Sequence, residues 1–418
     1  MRKIIGFIIV CLLTCFFSEQ VIASDLGQAR IGSKFYNTLE DAIIAASSND
    51  IINLNNDVSL DNSIEINKTV NINLNGHSIS TEEKVFVVQG GSLNLTGKGN
   101  IYETRPNYGA IMIIGADDSS KTDYSTVSIG KDILLEGWSG IFINHLNKTG
   151  YGIRINMAGS INAVNDASGD PGIGIYVNGN IQNKQNAPMV HLTDTAKIAS
   201  SGHGIYAAGY ATYKINGADI AGHEAGIGIK AGVFNILNGT IIGNGEDQTP
   251  TTGNNNGINA SGAAIQIESN QAYPGNIEIN IENGFFNSKN SNVIYEYTVN
   301  NTQTKVNSLT ISGGKYISDK NADVFNLSDD LSNKFNFISG GIFSSNPEKF
   351  VKSGYKVLTN KENLYDVVKN SISVFYEIEN NNHNINFPLV TIILIIIFTV
   401  IIFILSKKFN LISILTKK

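Results

Sequence analysis

Hydrophobic and polar positions alternate along most of this chain. Ile64-Glu65-Ile66-Asn67 and Val70-Asn71-Ile72-Asn73-Leu74-Asn75-Gly76 switch at every residue and stop at glycine, the pattern of short strands with one buried face. One stretch before them has a helical period instead. Leu39, Ala42, Ile43 and Ala46 form an apolar stripe, Asn37 or Thr38 can cap it, and Glu40 or Asp41 falls near the third helical position. The spacing predicts a capping helix over about 38–47.

A phrase then recurs, glycine-isoleucine-any-small or apolar. It appears as Gly140-Ile141-Phe142-Ile143, Gly152-Ile153-Arg154-Ile155, Gly174-Ile175-Tyr176-Val177, Gly204-Ile205-Tyr206-Ala207, Gly226-Ile227-Gly228-Ile229 and Gly257-Ile258-Asn259-Ala260. The steps from Gly152 to Gly174, from Gly204 to Gly226 and from Gly217 to Gly239 are all the same length. Later Gly284, Gly314 and Gly341 follow at somewhat longer, unequal steps. A short period of this kind means stacked repeats, each burying its apolar face on its neighbours. With strands of four or five residues, the unit is one coil of a parallel β-helix. Roughly 12 coils at about 4.8 Å would span on the order of 60 Å.

Both ends of the chain are apolar. Arg2 and Lys3 precede Ile4–Phe17, and Val21-Ile22-Ala23-Ser24 follows, which reads as a signal peptide over 1–23. Phe387 to Leu405 carries no charge, and Lys407, Lys408, Lys417 and Lys418 lie beyond it. That reads as one transmembrane helix, 387–406, with a cytoplasmic tail, 407–418. The expected organisation is a β-helix ectodomain over 24–365 with a closing unit at about 338–368, then a linker over 366–386. The chain is expected at a bacterial cell surface, a single-pass protein with its N-terminal domain outside.

Composition narrows the chemistry. Cys11 and Cys15 are the sole cysteines and both fall in the signal, so the mature chain has no disulfide framework. The net charge is −6 with four arginines, Arg2, Arg30, Arg105 and Arg154. No basic patch of the kind a phosphate backbone requires is present, which excludes nucleic acid as a partner. No zinc-like spacing occurs, and no cofactor or metal is expected.

The segments TLEDAIIAA (38–46), INKTVNINLNGHSI (66–79) and VFVVQGGSLNLTGKGNI (85–101) resemble the opening of pectin-lyase-like right-handed β-helix surface proteins of low-GC Gram-positive bacteria. ISGGIFSSNPEKFVKSGYKVL (338–358) resembles their closing unit. The resemblance covers most of 30–365. It implies a right-handed coil and adhesion or surface display, and no single activity. Sortase-anchored relatives have an LPxTG-type signal before the apolar segment, where this chain reads EIENNNHNIN; retention by the helix is the simpler expectation.

An enzyme is the alternative, a polysaccharide lyase or glycoside hydrolase of that fold. A lyase would need carboxylates holding Ca²⁺ and an arginine base, and Arg154 with Asp166 and Asp170 is the nearest set. A hydrolase would need Asp117-Asp118, His203-Gly204 and Lys230 together, yet Asp118 and His203 are about 85 residues apart, several coils along the stack. His223-Glu224 reads as a corner. The chain is therefore expected to be no enzyme and to serve adhesion, surface display or envelope structure through exposed loops. Trp138, Tyr151, Tyr176, Tyr206, Tyr210 and Tyr213 are the candidate binding residues for a glycan, since aromatic rings pack well on sugar faces; a host or envelope protein is the other ligand class. Oligomeric state is left open.

Overall fold

The computed structural model describes residues 27–144, 150–181, 184–246, 260–299 and 303–370. The signal peptide, the Gly257 phrase, the linker beyond residue 370, the transmembrane segment and the tail lie outside the described residues. Among those described, no helix is long and apolar enough to cross a membrane.

The described chain is an all-β coil of parallel sheets. It visits three sheets in turn. Thr69–Asn73 belongs to the first, Ser78–Thr81 to the second and Phe86–Gln89 to the third, and Ser92–Thr96 returns to the first. Each strand hydrogen-bonds in parallel to the strand one coil earlier, as Val70 with Leu93 and Ile79 with Ile101. The third sheet has ten strands among the described residues, from Ile64–Ile66 to Phe325–Asn326. That is fewer than the twelve coils expected, because several coils carry long loops. Ile205 pairs with Ile227 across a short coil, but Ile227 pairs with Ile265 across a much longer one.

Period-two alternation makes the interior. Val127, Ile155, Val190, Tyr213 and Phe234 form one inward row of the first sheet and Ile129, Met157, Leu192, Ile215 and Ile236 another. All ten are buried. In the second sheet Phe286, Tyr316 and Phe343 stack at 4.7 and 4.8 Å between ring centres.

The glycine-isoleucine phrase marks the inner edge of the third sheet. A Cβ at Gly204 would stand 2.5 Å from Ile220 Cγ2, and one at Gly226 2.8 Å from Ile241 Cγ2. Glycine is required there because an isoleucine of the second sheet fills the space. The Gly152 phrase is a different feature. Ile153 lies in the first sheet, paired with Ser125, while Ile175 lies in the third. The step from Gly152 to Gly174 therefore joins two unlike positions, although it matches the true coil length. The Gly217 and Gly239 phrases are also out of step by one, since an irregularity between Ile215 and Ala218 pairs Ala218 with Gly239.

Both ends of the coil close with antiparallel strands. Ala29–Ile31 pairs antiparallel with Lys34–Tyr36 and with Ile51–Leu54. Helix α1, Leu39–Ala45, starts at Thr38, whose hydroxyl accepts from the Asp41 N–H at 3.1 Å, and buries Leu39, Ala42 and Ile43. At the other end Gly341–Phe343 pairs antiparallel with Tyr365–Lys369, and a short helix α2, Asp329–Lys334, is capped by Ser328. These antiparallel strands cover ladder ends that could otherwise template aggregation.

Candidate functional site

Two outward flanks of the coil concentrate polar and aromatic side chains. The first is an open groove on the first sheet. Thr126, Arg154, Met189 and Thr212 form one outward row across four coils, and Ser128, Asn156, His191 and Lys214 the adjacent row. The groove encloses about 520 Å³. Arg154 is fixed in its floor. Its Nη1 donates to the carbonyls of Ile153 (2.8 Å) and Ala187 (3.1 Å), and its Nε lies 3.1 Å from Asp123 Oδ1. Met189 is half exposed in the middle. Parallel coils place like rows about 4.8 Å apart, so the groove offers a ladder of hydrogen-bonding groups along the coil axis.

The second flank is the outer face of the third sheet. Phe142, Tyr176 and Tyr206 stand in register on successive coils. Tyr176 and Tyr206 stack at 5.2 Å with 2° between their planes, and Trp138 meets Tyr176 edge-on at 6.0 Å. Burial pushes the Tyr176 hydroxyl up to about 12 and Tyr206 well above its ordinary value. The next coil has Gly228 at this position, and His203 fills the gap, with Nδ1 2.9 Å from Glu224 Oε2. Beyond it Lys230 and Glu268 meet at 2.7 Å, both almost wholly buried. The Tyr297 hydroxyl donates to Glu268 Oε2 at 2.7 Å and the Asn270 amide to Oε1 at 2.9 Å. Lys305 Nζ donates to the carbonyls of Lys230 (2.7 Å) and Tyr273 (2.6 Å). Burial pushes the Lys305 amine down to about 8, against the pull of Glu268. Burial likewise lowers Lys230, and Glu268 partly restores it.

The six aromatic residues picked from the sequence fall in three places. Trp138, Tyr176 and Tyr206 share the third-sheet flank. Tyr151 and Tyr210 pack in a separate small cluster with Ile181, Ala187, Ala231 and Val233. Tyr213 is inside the coil, stacked on Phe234 at 4.1 Å and fully buried. It has the same strand parity as Val190 and Phe234, so its ring faces the core and has no surface to offer a sugar. The six candidates, Tyr206, Tyr210 and Tyr213 among them, thus do not share one surface.

The other groupings also resolve. Asp166 turns back on its own loop and accepts from the N–H groups of Ser168 and Asp170 at 2.8 Å; the carboxylate beside Arg154 is Asp123. Asp118 binds Ser120 in its own loop, away from His203 and Lys230, which share the third-sheet flank. Among the described residues no three His, Cys, Asp or Glu side chains are placed to hold a metal ion. The residues missed from the sequence are His191 and Lys214, which strand register places in the groove, Asp123 just before a groove strand, and Glu268 on the third-sheet flank.

No protein-family model, no curated protein and no solved structure matches this chain.

Proposed function

We propose that this chain is a membrane-anchored β-helix of a bacterial cell surface that works by adhesion or display, with a right-handed coil and no turnover of its ligand. Right-handedness follows the strong preference of parallel crossovers. The observation that favours binding is the first-sheet groove. It is open, spans four coils, and repeats hydrogen-bonding side chains around a fixed arginine and an exposed methionine. That suits an extended, hydroxyl-rich polymer laid along the coil, and a glycan is the ligand class it fits best. The third-sheet aromatics contribute a second face, with Trp138 and Tyr176 at its rim.

The test is retention of the purified full-length chain, in detergent, on a panel of immobilised host, plant and bacterial polysaccharides. Arg154→Ala with Lys214→Ala is expected to weaken retention by at least about tenfold, the loss of one charge-assisted hydrogen bond or more, with the far-ultraviolet circular dichroism unchanged. Retention that ignores both substitutions, or release of shortened polymer, would overturn the reading.

A further inference from the structure

We infer that Lys230 and Glu268 are a covalent cross-link site, at which the lysine Nζ condenses with the Glu268 side-chain carboxyl to form an amide between adjacent coils. The two residues follow the paired isoleucines Ile229 and Ile267, so the sheet sets them side by side. Nζ lies 2.7 Å from Glu268 Oε2, and both side chains are nearly inaccessible.

An ammonium fits this place poorly. It has three N–H donors to satisfy. Around Nζ stand one carboxylate oxygen and two aromatic rings, Tyr273 at 4.4 Å and Tyr206 at 5.3 Å to their centres. The approach to Oε2 is ionic rather than a well-directed hydrogen bond, and Nζ makes no other. Lys305 brings a second positive charge to the Lys230 carbonyl. Burial drives Lys230 toward the neutral amine, the form whose lone pair can react. An amide nitrogen has one N–H, which removes most of the donor deficit, and both buried charges disappear.

The groups around Glu268 suit the step. The amine lone pair of Nζ attacks Cδ of the protonated carboxyl. The C–N bond forms and charge gathers on Oε1, where the Asn270 amide donates, as a hydrogen bond to a developing oxyanion should. Oε2 leaves as water, with its own proton and one from the amine, beside the Tyr297 hydroxyl that donates to it. One water is released, no oxidant is needed, and the exclusion of solvent protects the product from hydrolysis.

The purified full-length chain, boiled in denaturant and digested with trypsin, decides the matter by mass spectrometry. Residues 215–289 contain cleavage sites only after Lys230 and Lys289. The expected result is a single 215–289 peptide, resistant to cleavage after Lys230 and lighter by one water. Fragment ions should join Lys230 to Glu268. Lys230→Met and Glu268→Ala should each restore the full mass. Separate peptides 215–230 and 231–289 at full mass would overturn the cross-link. Loss of ammonia, with the join at Asn270, would overturn the assignment to Glu268.

Discussion

Gly140 and Ile161 share one space. A Cβ on Gly140 would stand 2.5 Å from Ile161 Cγ2 and 2.8 Å from its Cδ1, and all three of its nearest atoms belong to that one side chain. Elsewhere in the repeat a backbone carbonyl also crowds the glycine, as Gly226 O crowds Gly204. Gly140 is therefore where the repeat can be dissected by mutation. Gly140→Ala should cost about 1–3 kcal/mol by overpacking. In a Gly140→Ala/Ile161→Ala double variant the two losses should fall short of additivity by about 1 kcal/mol or more, since the alanine enters the hole left by isoleucine. Urea unfolding of the four proteins measures this, and strict additivity would remove the account of the repeat.

Tyr213 leads to an expectation opposite to that for a binding residue. Its ring is packed on Phe234, but its hydroxyl is buried with no hydrogen-bond partner. Tyr213→Phe removes an unsatisfied polar atom and should raise stability by about 1 kcal/mol. Tyr213→Ala opens a cavity and should cost about 3–5 kcal/mol. Thermal unfolding of the two variants checks the pair; a destabilised phenylalanine variant would mean the hydroxyl has a role.

Strand character and the coil are legible in the sequence because alternation and the glycine-isoleucine phrase are local. Sheet membership is not. Gly152-Ile153 and Gly174-Ile175 look alike, and only the pairing of Ile153 with Ser125 and Ile175 with Ile205 separates them. The flank residues are the hardest to find. Lys230 and Glu268 hold equivalent places in GIGIK (226–230) and AAIQIE (263–268), but the long coil between Ile227 and Ile265 hides the period. The place of Tyr213 is legible in YKIN (213–216), where it shares a strand face with Ile215, opposite Lys214 and Asn216, and its parity with Val190 agrees.

Stability should have a maximum on the alkaline side. Folding dehydrates the Lys305 amine, whose value falls to about 8 from 10.5. Between those values the unfolded chain holds a proton that the folded chain has released, so stability rises with pH. The buried tyrosines act the other way. Tyr176 and Tyr210 are raised from 10.0 to about 12, so above pH 10 the unfolded chain ionises first and stability falls. The urea midpoint is expected to climb from pH 8 to about 10 and then drop. In Lys305→Met the climb should shrink; a flat profile in the parent chain would contradict the buried amine.

Glu103 organises a corner. Its carboxylate accepts from the N–H groups of Asn107 (3.2 Å), Tyr108 (3.2 Å), Gly109 (2.5 Å) and Trp138 (3.2 Å). Burial raises its value while these four donors oppose the rise. Glu103→Ala strands the donors and should cost about 2–3 kcal/mol, with a change in Trp138 fluorescence that reports the loosened turn. Since Trp138 is the sole tryptophan, the signal is unambiguous. Unaltered emission would separate the corner from the aromatic flank.

The two ends of the coil differ from everything between them. Antiparallel pairs seal Ala29–Ile31 at one end and Gly341–Phe343 at the other, while strands in the middle of the coil, such as Ile205 with its neighbours Ile175 and Ile227, meet a parallel neighbour on either side. The molecule is in this sense a ruler with fixed tips and a countable middle. Adding or deleting one whole coil, such as the segment from Ile205 to the residue before Ile227, changes reach by about 4.8 Å and leaves both closures intact. Reach can therefore drift in whole-coil steps through unequal crossing-over, while either tip tolerates far less change.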